Sequence, residues 1–163
     1  MSDLEAVRQR GEQLVAQYLG PSWSFDFDHA KTRAGKCDFT NRRITISRYL
    51  AARYDDAANE QTLLHEIAHG IAGARAGHGP EWLRTARAIG YTGERTHDGA
   101  VATEFARWIA VCPNGHEAVR FRRPPKGRAQ SCARCSPRFD RRYLLEWRER
   151  TDAERAADRA ATL

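Results

Sequence analysis

Two histidines and a glutamate lie within five residues of one another, in the segment His65-Glu66-Ile67-Ala68-His69. On a helix, residues four apart lie on one face, so His65 and His69 can bind the same metal ion. Glu66 projects about 100° away from His65, where its carboxylate can take a proton from a metal-bound water. Two imidazoles and an open position are typical of zinc, which lowers the pKa of bound water to near neutrality. The motif therefore predicts a zinc site that activates water; the alternative is a polar helix face with two solvated histidines.

A catalytic zinc ion normally has three protein ligands, so the sequence must supply a third. His78 follows the motif by nine residues, and Gly77 and Gly79 on either side of it suit a loop that returns closely to the metal. A glutamate from a later part of the chain, Glu94 or Glu104, is the alternative ligand. We favour His78.

Three cysteines and a histidine form a second candidate metal site. Cys132 and Cys135 have C-x2-C spacing, and Cys112 and His116 have C-x3-H spacing with Gly115 in the turn between them. Two such pairs, with strands predicted between them, are typical of a zinc ribbon in which the ion is structural. The N-terminus has neither a secretory signal nor a transit peptide, so we expect a cytoplasmic protein whose cysteines bind metal or stay reduced.

The elements that must position these residues can be predicted from hydrophobic periodicity and from the residues that begin and end helices. These sequence signals predict an α+β, minimal zincin-like domain with an N-terminal helix, a small antiparallel sheet and a long helix that carries the H-E-x-x-H motif. The predicted elements are a helix over 3–19, strands over 23–28, 37–40 and 42–47, a long helix over 55–72 and a helix over 81–89.

From about residue 101 onward, the predicted secondary-structure elements become shorter. Short strands are predicted over 107–111, 117–123 and 143–147, and this unit is too small to bury much apolar surface without a metal ion. Residues 151–163 are rich in alanine and charge, and we expect a frayed helix or a disordered tail. The predicted organisation is a metal-site domain over 1–100, a basic ribbon over 101–150 and a tail over 151–163.

The net charge of +6 is concentrated in the ribbon. Residues 1–100 hold 13 basic and 13 acidic residues, whereas residues 101–150 hold 12 basic and 5 acidic ones. A localised basic block indicates an anionic partner, most often nucleic acid, and DNA is the partner that we expect. The alternative is a solvated, arginine-rich rim. In both interpretations Phe121, whose parity is opposite to that of Arg120 and Arg122, is expected in the ribbon core. The candidate nucleic-acid contacts are Arg120, Arg122, Arg123, Lys126 and Arg128.

Two other classes of partner are not expected. The sequence has no run of 18 apolar residues, which excludes a transmembrane helix of ordinary length. The glycines over 70–79 follow a helix rather than a strand, so they do not predict a phosphate loop or a nucleotide cofactor.

The motif and the segment that follows it, Gly77-His78-Gly79-Pro80-Glu81-Trp82, resemble the SprT-like metallopeptidase domain of the Spartan-type proteases. Those proteases degrade proteins crosslinked to DNA. The segments over 34–38 and 44–47 are similar to the family's strand pair, and the resemblance extends over roughly residues 20–150, including a C-terminal zinc ribbon. The resemblance implies a minimal zincin fold, with Glu66 as general base and with zinc ligands at His65, His69 and His78.

The family's ribbon usually has its second cysteine where this chain has Gly115, so the fourth ligand of the structural zinc needs another residue. His116 is our candidate.

Two functions follow from these observations. One is a zinc metallopeptidase with one catalytic and one structural zinc ion, which acts on nucleic-acid-bound or DNA-crosslinked proteins and contacts DNA through its ribbon. The alternative is a non-catalytic, zinc-containing nucleic-acid-binding module. Glu66 favours the peptidase, because a structural zinc site needs no proton acceptor next to a ligand; a peptidase without a nucleic-acid partner would leave the basic ribbon unexplained.

Overall fold

The computed structural model describes residues 2–93 and 102–162. The chain forms two compact units, Met1–Val101 and Ala102–Leu163, and each contains one three-stranded sheet. No helix in the described ranges combines the length and the apolar character that crossing a membrane requires.

The first unit has the α+β composition that the sequence predicts, with an N-terminal helix, a small sheet and a long helix that carries the H-E-x-x-H motif. Its elements are α1 (Leu4–Leu19), β1 (Ser24–Asp28), β2 (Gly35–Asp38), β3 (Arg43–Ser47), α2 (Arg48–Ala51), α3 (Asp56–Ala72) and α4 (Pro80–Ala88).

The sheet of the first unit is mixed, which corrects the prediction of an antiparallel sheet. Its order is β1-β3-β2, with β3 antiparallel to β2 and parallel to β1. Residues 29–34 cross the end of β3, where the Ser47 hydroxyl donates to the Ala30 carbonyl (2.6 Å) and the Ser47 amide to the Ala34 carbonyl (2.7 Å). The chain therefore enters β2 at the end of the sheet where it left β1, and the two outer strands run in opposite directions.

Helix α3 is the centre of the first unit. The Asp55 side chain accepts a hydrogen bond from the Ala58 amide (2.8 Å) and caps its N-terminus, and Gly73 ends it. The Arg10 guanidinium on α1 makes two hydrogen bonds of 3.0 and 2.8 Å to the Glu60 carboxylate on α3. Apolar side chains of α1, α3, α4 and the sheet form one core, and full burial of each large one contributes roughly 1.5–3 kcal/mol to stability. The core includes Val7, Leu14, Val15, Phe25, Ile44, Ile46, Leu63, Leu64, Ile67 and Trp82.

The second unit is built on the antiparallel sheet β5-β4-β6. The predicted strand over 143–147 is wrong, because Tyr143 belongs to a 3-10 turn and strand pairing is limited to one antiparallel bridge between Leu144 and Ser131. At this bridge the Cys132 amide donates to the Tyr143 carbonyl (2.8 Å) and the Leu145 amide to the Gln130 carbonyl (2.9 Å). The elements are β4 (Trp108–Val111), β5 (Glu117–Arg120), β6 (Arg148–Glu149), 3-10 turns at Thr103–Phe105 and Arg141–Tyr143, and α5 (Asp152–Thr162).

The C-terminal segment, expected as a frayed helix or a disordered tail, is helix α5 and is joined to the start of the second unit through Arg150. This arginine is only 5% exposed. Its guanidinium donates to the carbonyls of Thr103 (3.2 Å) and Ala106 (3.3 Å), and it pairs with Asp158 on α5. A buried guanidinium needs such partners, so its burial depends on the helix being in place.

Candidate metal centre and active site

The structure brings together the three histidines that the sequence singles out. His65 and His69 lie one turn apart on α3, and His78 lies in the loop between α3 and α4. The His78 Nε2 atom is 3.0 Å from the Nε2 atoms of both His65 and His69. All three candidate ligand atoms lie within 4.8 Å of one another.

This donor set fits zinc. Tetrahedral zinc with bonds of about 2.05 Å to nitrogen separates its nitrogen ligands by about 3.3 Å, close to the 3.0 Å between the His78 nitrogen and each of the other two. Burial, with a smaller effect of neighbouring His78, lowers the pKa of His69 to about 4, so its imidazole is neutral at pH 7. A neutral imidazole is the form that binds a metal ion.

A short loop returns the chain to the metal site. The Ala76 amide donates to the Gly73 carbonyl (3.1 Å) and the Gly79 amide to the Ala76 carbonyl (2.9 Å), so two tight turns follow each other. Gly77 has a φ of +51°, a conformation that L-residues with a side chain rarely adopt. These turns place His78 against α3.

Glu104, one of the two alternative third ligands, is not part of this cluster as the described residues form it. Glu104 belongs to the second unit, where it is 5% exposed within a 3-10 turn. Glu94 lies outside the described residues. Within the described ranges, His78 completes the imidazole cluster.

Aromatic rings form the inner wall of the site. Trp82 is fully buried, stacks on the His69 ring at 5.2 Å and donates from Nε1 to the His65 carbonyl at 3.4 Å. Its ring also meets the His78 ring edge-on at 4.8 Å, and the Tyr91 ring lies 5.3 Å from the His65 ring. The spacing of the histidines did not predict that Trp82 lines the site. Its position four residues after His78, on the next helix, is the signal that could have indicated this role.

Glu66 lies beside the imidazole cluster and against the sheet. It is 8% exposed, and the backbone amide of Cys37 on β2 donates a hydrogen bond to its carboxylate. Burial raises the pKa of Glu66 to about 7, against a smaller opposing effect of the Arg33 charge. A carboxylate with a pKa near neutrality is suited to accept and return a proton at physiological pH.

The four residues of the predicted ribbon site also meet. The Cys112 and Cys135 sulfurs are 3.7 Å apart, and His116 Nδ1 lies 3.2 Å from the Cys135 sulfur and 3.6 Å from the Cys132 sulfur. Tetrahedral zinc with bonds of about 2.3 Å to sulfur places its sulfurs about 3.8 Å apart, so this set fits zinc as well. Gly115 has a φ of +77°, and the turn it forms directs His116 Nδ1 toward the cysteines.

The five candidate nucleic-acid contacts of the ribbon fall into two groups. Strand β5 ends at Arg120, which is half-buried, donates to the Gln130 side chain (3.0 Å) and lies over the Trp147 ring. The others follow the strand in an exposed loop. These exposed basic residues are Arg122, Arg123, Lys126 and Arg128.

Phe121 is half-buried rather than part of the ribbon core. It lines an open cavity of about 300 Å³ together with Arg107, Trp108, Arg123 and Glu149. The Arg123 guanidinium lies over the Trp108 ring, 5.7 Å from its centroid. The cavity therefore combines aromatic faces with positive charge.

We expect His78→Ala to remove zinc from the imidazole site. Loss of a residue that only orients a ligand already weakens metal binding by about 10–100-fold, so loss of a direct ligand should weaken it by at least about 10²-fold. Zinc affinity is measured by competition with a chelator, and exposed His29→Ala in the same unit is the control. Wild-type affinity in His78→Ala would show that another residue is the third ligand.

Comparison with known proteins places the first unit in a family. A sequence model of the SprT-like family matches residues 4–103, a segment that contains Glu66 and all three clustered histidines. The match ends before the cysteine ribbon. No curated protein and no solved structure matches the chain. The match covers more than half of the sequence, and it confirms the resemblance seen in the motif: the chain belongs to the SprT-like family, and its first unit is a metallopeptidase-like domain.

Proposed function

We propose that this protein is a zinc-dependent metallopeptidase that cleaves proteins bound or crosslinked to DNA, and that its ribbon contacts the DNA. The observation that carries the peptidase activity is the buried Glu66 carboxylate beside three converging imidazoles. A site that only stabilises the fold requires ligands and no proton acceptor. The alternative, a non-catalytic nucleic-acid-binding module, leaves this carboxylate without a role.

Each residue of the site has its own role in the proposed hydrolysis of a peptide bond. Zinc held by His65, His69 and His78 would supply Lewis acidity toward water and the substrate carbonyl. Glu66 accepts the proton of the attacking water on its carboxylate and returns it to the leaving amine. The Cys37 amide holds that carboxylate in place.

Strand β2 is suited to hold a polypeptide substrate. It is an edge strand of the sheet, and the amide that binds Glu66 belongs to it. An extended peptide can add to such an edge through main-chain hydrogen bonds, which give affinity with little dependence on sequence. Such binding would suit a peptidase whose substrates are all attached to DNA but differ in amino-acid sequence.

The ribbon supplies the features of a nucleic-acid contact. Arg122, Lys126 and Arg128 are exposed in one loop and can neutralise phosphates. The Trp108 and Phe121 rings beside Arg123 offer faces on which a base of single-stranded DNA can stack. Cysteines that bind zinc must stay reduced, and the reducing cytosol favours this state, so a cytoplasmic location is part of the proposal.

The experiment uses a protein crosslinked to a single-stranded oligonucleotide as substrate and the zinc-loaded full chain as enzyme. We expect cleavage that a chelator abolishes and that is faster than cleavage of the same protein without DNA. Arg122→Ala combined with Arg128→Ala should reduce this advantage. The slope of log affinity for DNA against log salt should fall by about 1.4 for single strands or about 1.8 for duplexes, if each arginine neutralises one phosphate.

Exposed arginines of the first unit, Arg48 and Arg84, provide the matched control when both are changed to alanine. An unchanged salt slope in the ribbon variant would mean that its arginines form a solvated rim. A wild type that binds zinc and DNA but cleaves no substrate would favour the binding module.

A further inference from the structure

We infer that Gly35 is a positioning residue for Glu66: the missing side chain on β2 creates the space in which the Glu66 carboxylate lies. A Cβ atom at residue 35 would lie 2.6 Å from Glu66 Cγ, 2.8 Å from Oε1 and 3.1 Å from Cδ. Carbon atoms that are not bonded prefer separations of about 3.5–4.0 Å. The Glu66 side chain thus fills the volume that any other residue at position 35 would occupy.

Backbone conformation does not explain the glycine. Gly35 lies within β2, pairs with Ile46, and is not among the glycines with positive φ. Any residue can adopt its backbone angles, so the close approach to Glu66 is the feature that requires glycine here.

The two surfaces in contact cannot separate easily. On the sheet side, Gly35 and Cys37 pair with Ile46 and Ile44, which are almost fully buried. On the helix side, the neighbour of Glu66 is Ile67, which is also fully buried. Packed interiors yield little to an added methyl group, so an alanine would displace the end of the Glu66 side chain instead.

This role rests on the proposed function, because it concerns the geometry of the proposed general base. A displacement of about 1 Å at a reacting group can cost about 10²-fold in rate. Gly35→Ala should therefore lower kcat by about 10- to 10²-fold, with KM and the zinc content unchanged. Gly11→Ala is the matched control, since its Cβ would meet the Phe25 ring at 2.8 Å, a similarly close contact that does not involve Glu66.

A second measurement does not depend on activity. Hydrogen exchange of peptides from β2 and α3, followed in urea with excess zinc, gives the stability of this region in the full chain. Gly35→Ala should lower the urea midpoint when Glu66 is present. In the Glu66→Ala background, where the space is vacant, it should leave the midpoint unchanged or raise it.

The outcomes separate the two proposals. A wild type without peptidase activity overturns the proposed function. The urea midpoints of Gly35→Ala with and without Glu66 still test the contact between Gly35 and Glu66. An equal loss of stability in both backgrounds, or full kcat in Gly35→Ala, overturns the role of Gly35. If Gly35→Ala does not fold alone, a folded Gly35→Ala/Glu66→Ala chain supports the contact, and an unfolded one overturns it.

Discussion

Replacing Glu66 with glutamine should lower cleavage of a DNA-crosslinked protein by at least about 10²-fold, the low end for a positioned general base. Glutamine keeps the size of the side chain, and its carbonyl can still accept the hydrogen bond from the Cys37 amide. It cannot accept a proton from water. Both zinc ions, the fold and the affinity for DNA should therefore be retained, which elemental analysis, circular dichroism and a binding titration would measure.

Glu81→Gln is the control for this experiment, because Glu81 is an exposed glutamate on α4 near the site. Its cleavage rate should match that of the wild type. If Glu66→Gln cleaves as well as the wild type, the proton acceptor is a different group and the proposed mechanism is wrong.

Cys132→Ser should remove one zinc ion and unfold the second unit while the first unit stays folded. Among the described residues of the second unit, the buried apolar ones are all small, so the metal must supply much of its stability. Structural zinc contributes about 10–16 kcal/mol to the folding of small zinc-finger peptides at pH 7. These buried residues are Ala102, Ala106, Ala110, Cys112 and Cys132.

Zinc per chain and hydrogen exchange of peptides over 102–162 would test this expectation. Cys37→Ser is the control, because Cys37 is a half-buried cysteine of the first unit outside both ligand clusters. A single zinc ion per wild-type chain would contradict the presence of two sites.

Local signals in the sequence were sufficient for helix α3 and for the ligands on it. The predicted span of 55–72 agrees with Asp56–Ala72, because Asp55 caps the helix, Gly73 ends it and apolar residues follow helical spacing between them. The juxtaposition of His65 and His69 then follows from helical geometry alone. Glycines around His78 indicated a returning loop, and the structure has that loop.

Features that depend on distant parts of the chain could not be predicted in this way. The parallel pairing of β1 with β3 results from a crossing segment that Ser47 holds, and nothing in the alternation of β1 indicates its direction. The alternation over 143–147 is typical of a strand, yet β-pairing there is limited to one bridge between Leu144 and Ser131, next to the cysteine turn. The contact between Gly35 and Glu66 joins residues that are 31 positions apart in the sequence.

The strand order also bears on how the first unit assembles. Hairpin β2–β3 closes through the short turn over 39–42, whereas β1 pairs with β3 at Ser24 and Arg43, 19 residues apart. The entropic cost of closing a loop grows with its length, so the hairpin should form before β1 joins it. During synthesis, α1 and β1 emerge before β2 and β3; they contact each other, but β1 has no strand partner until residue 47 has emerged, and α1 cannot pack on α3 until residue 72 has emerged. The segment α1–β1 is therefore synthesised early and packs late. During that interval its apolar residues stay exposed or are covered by a chaperone.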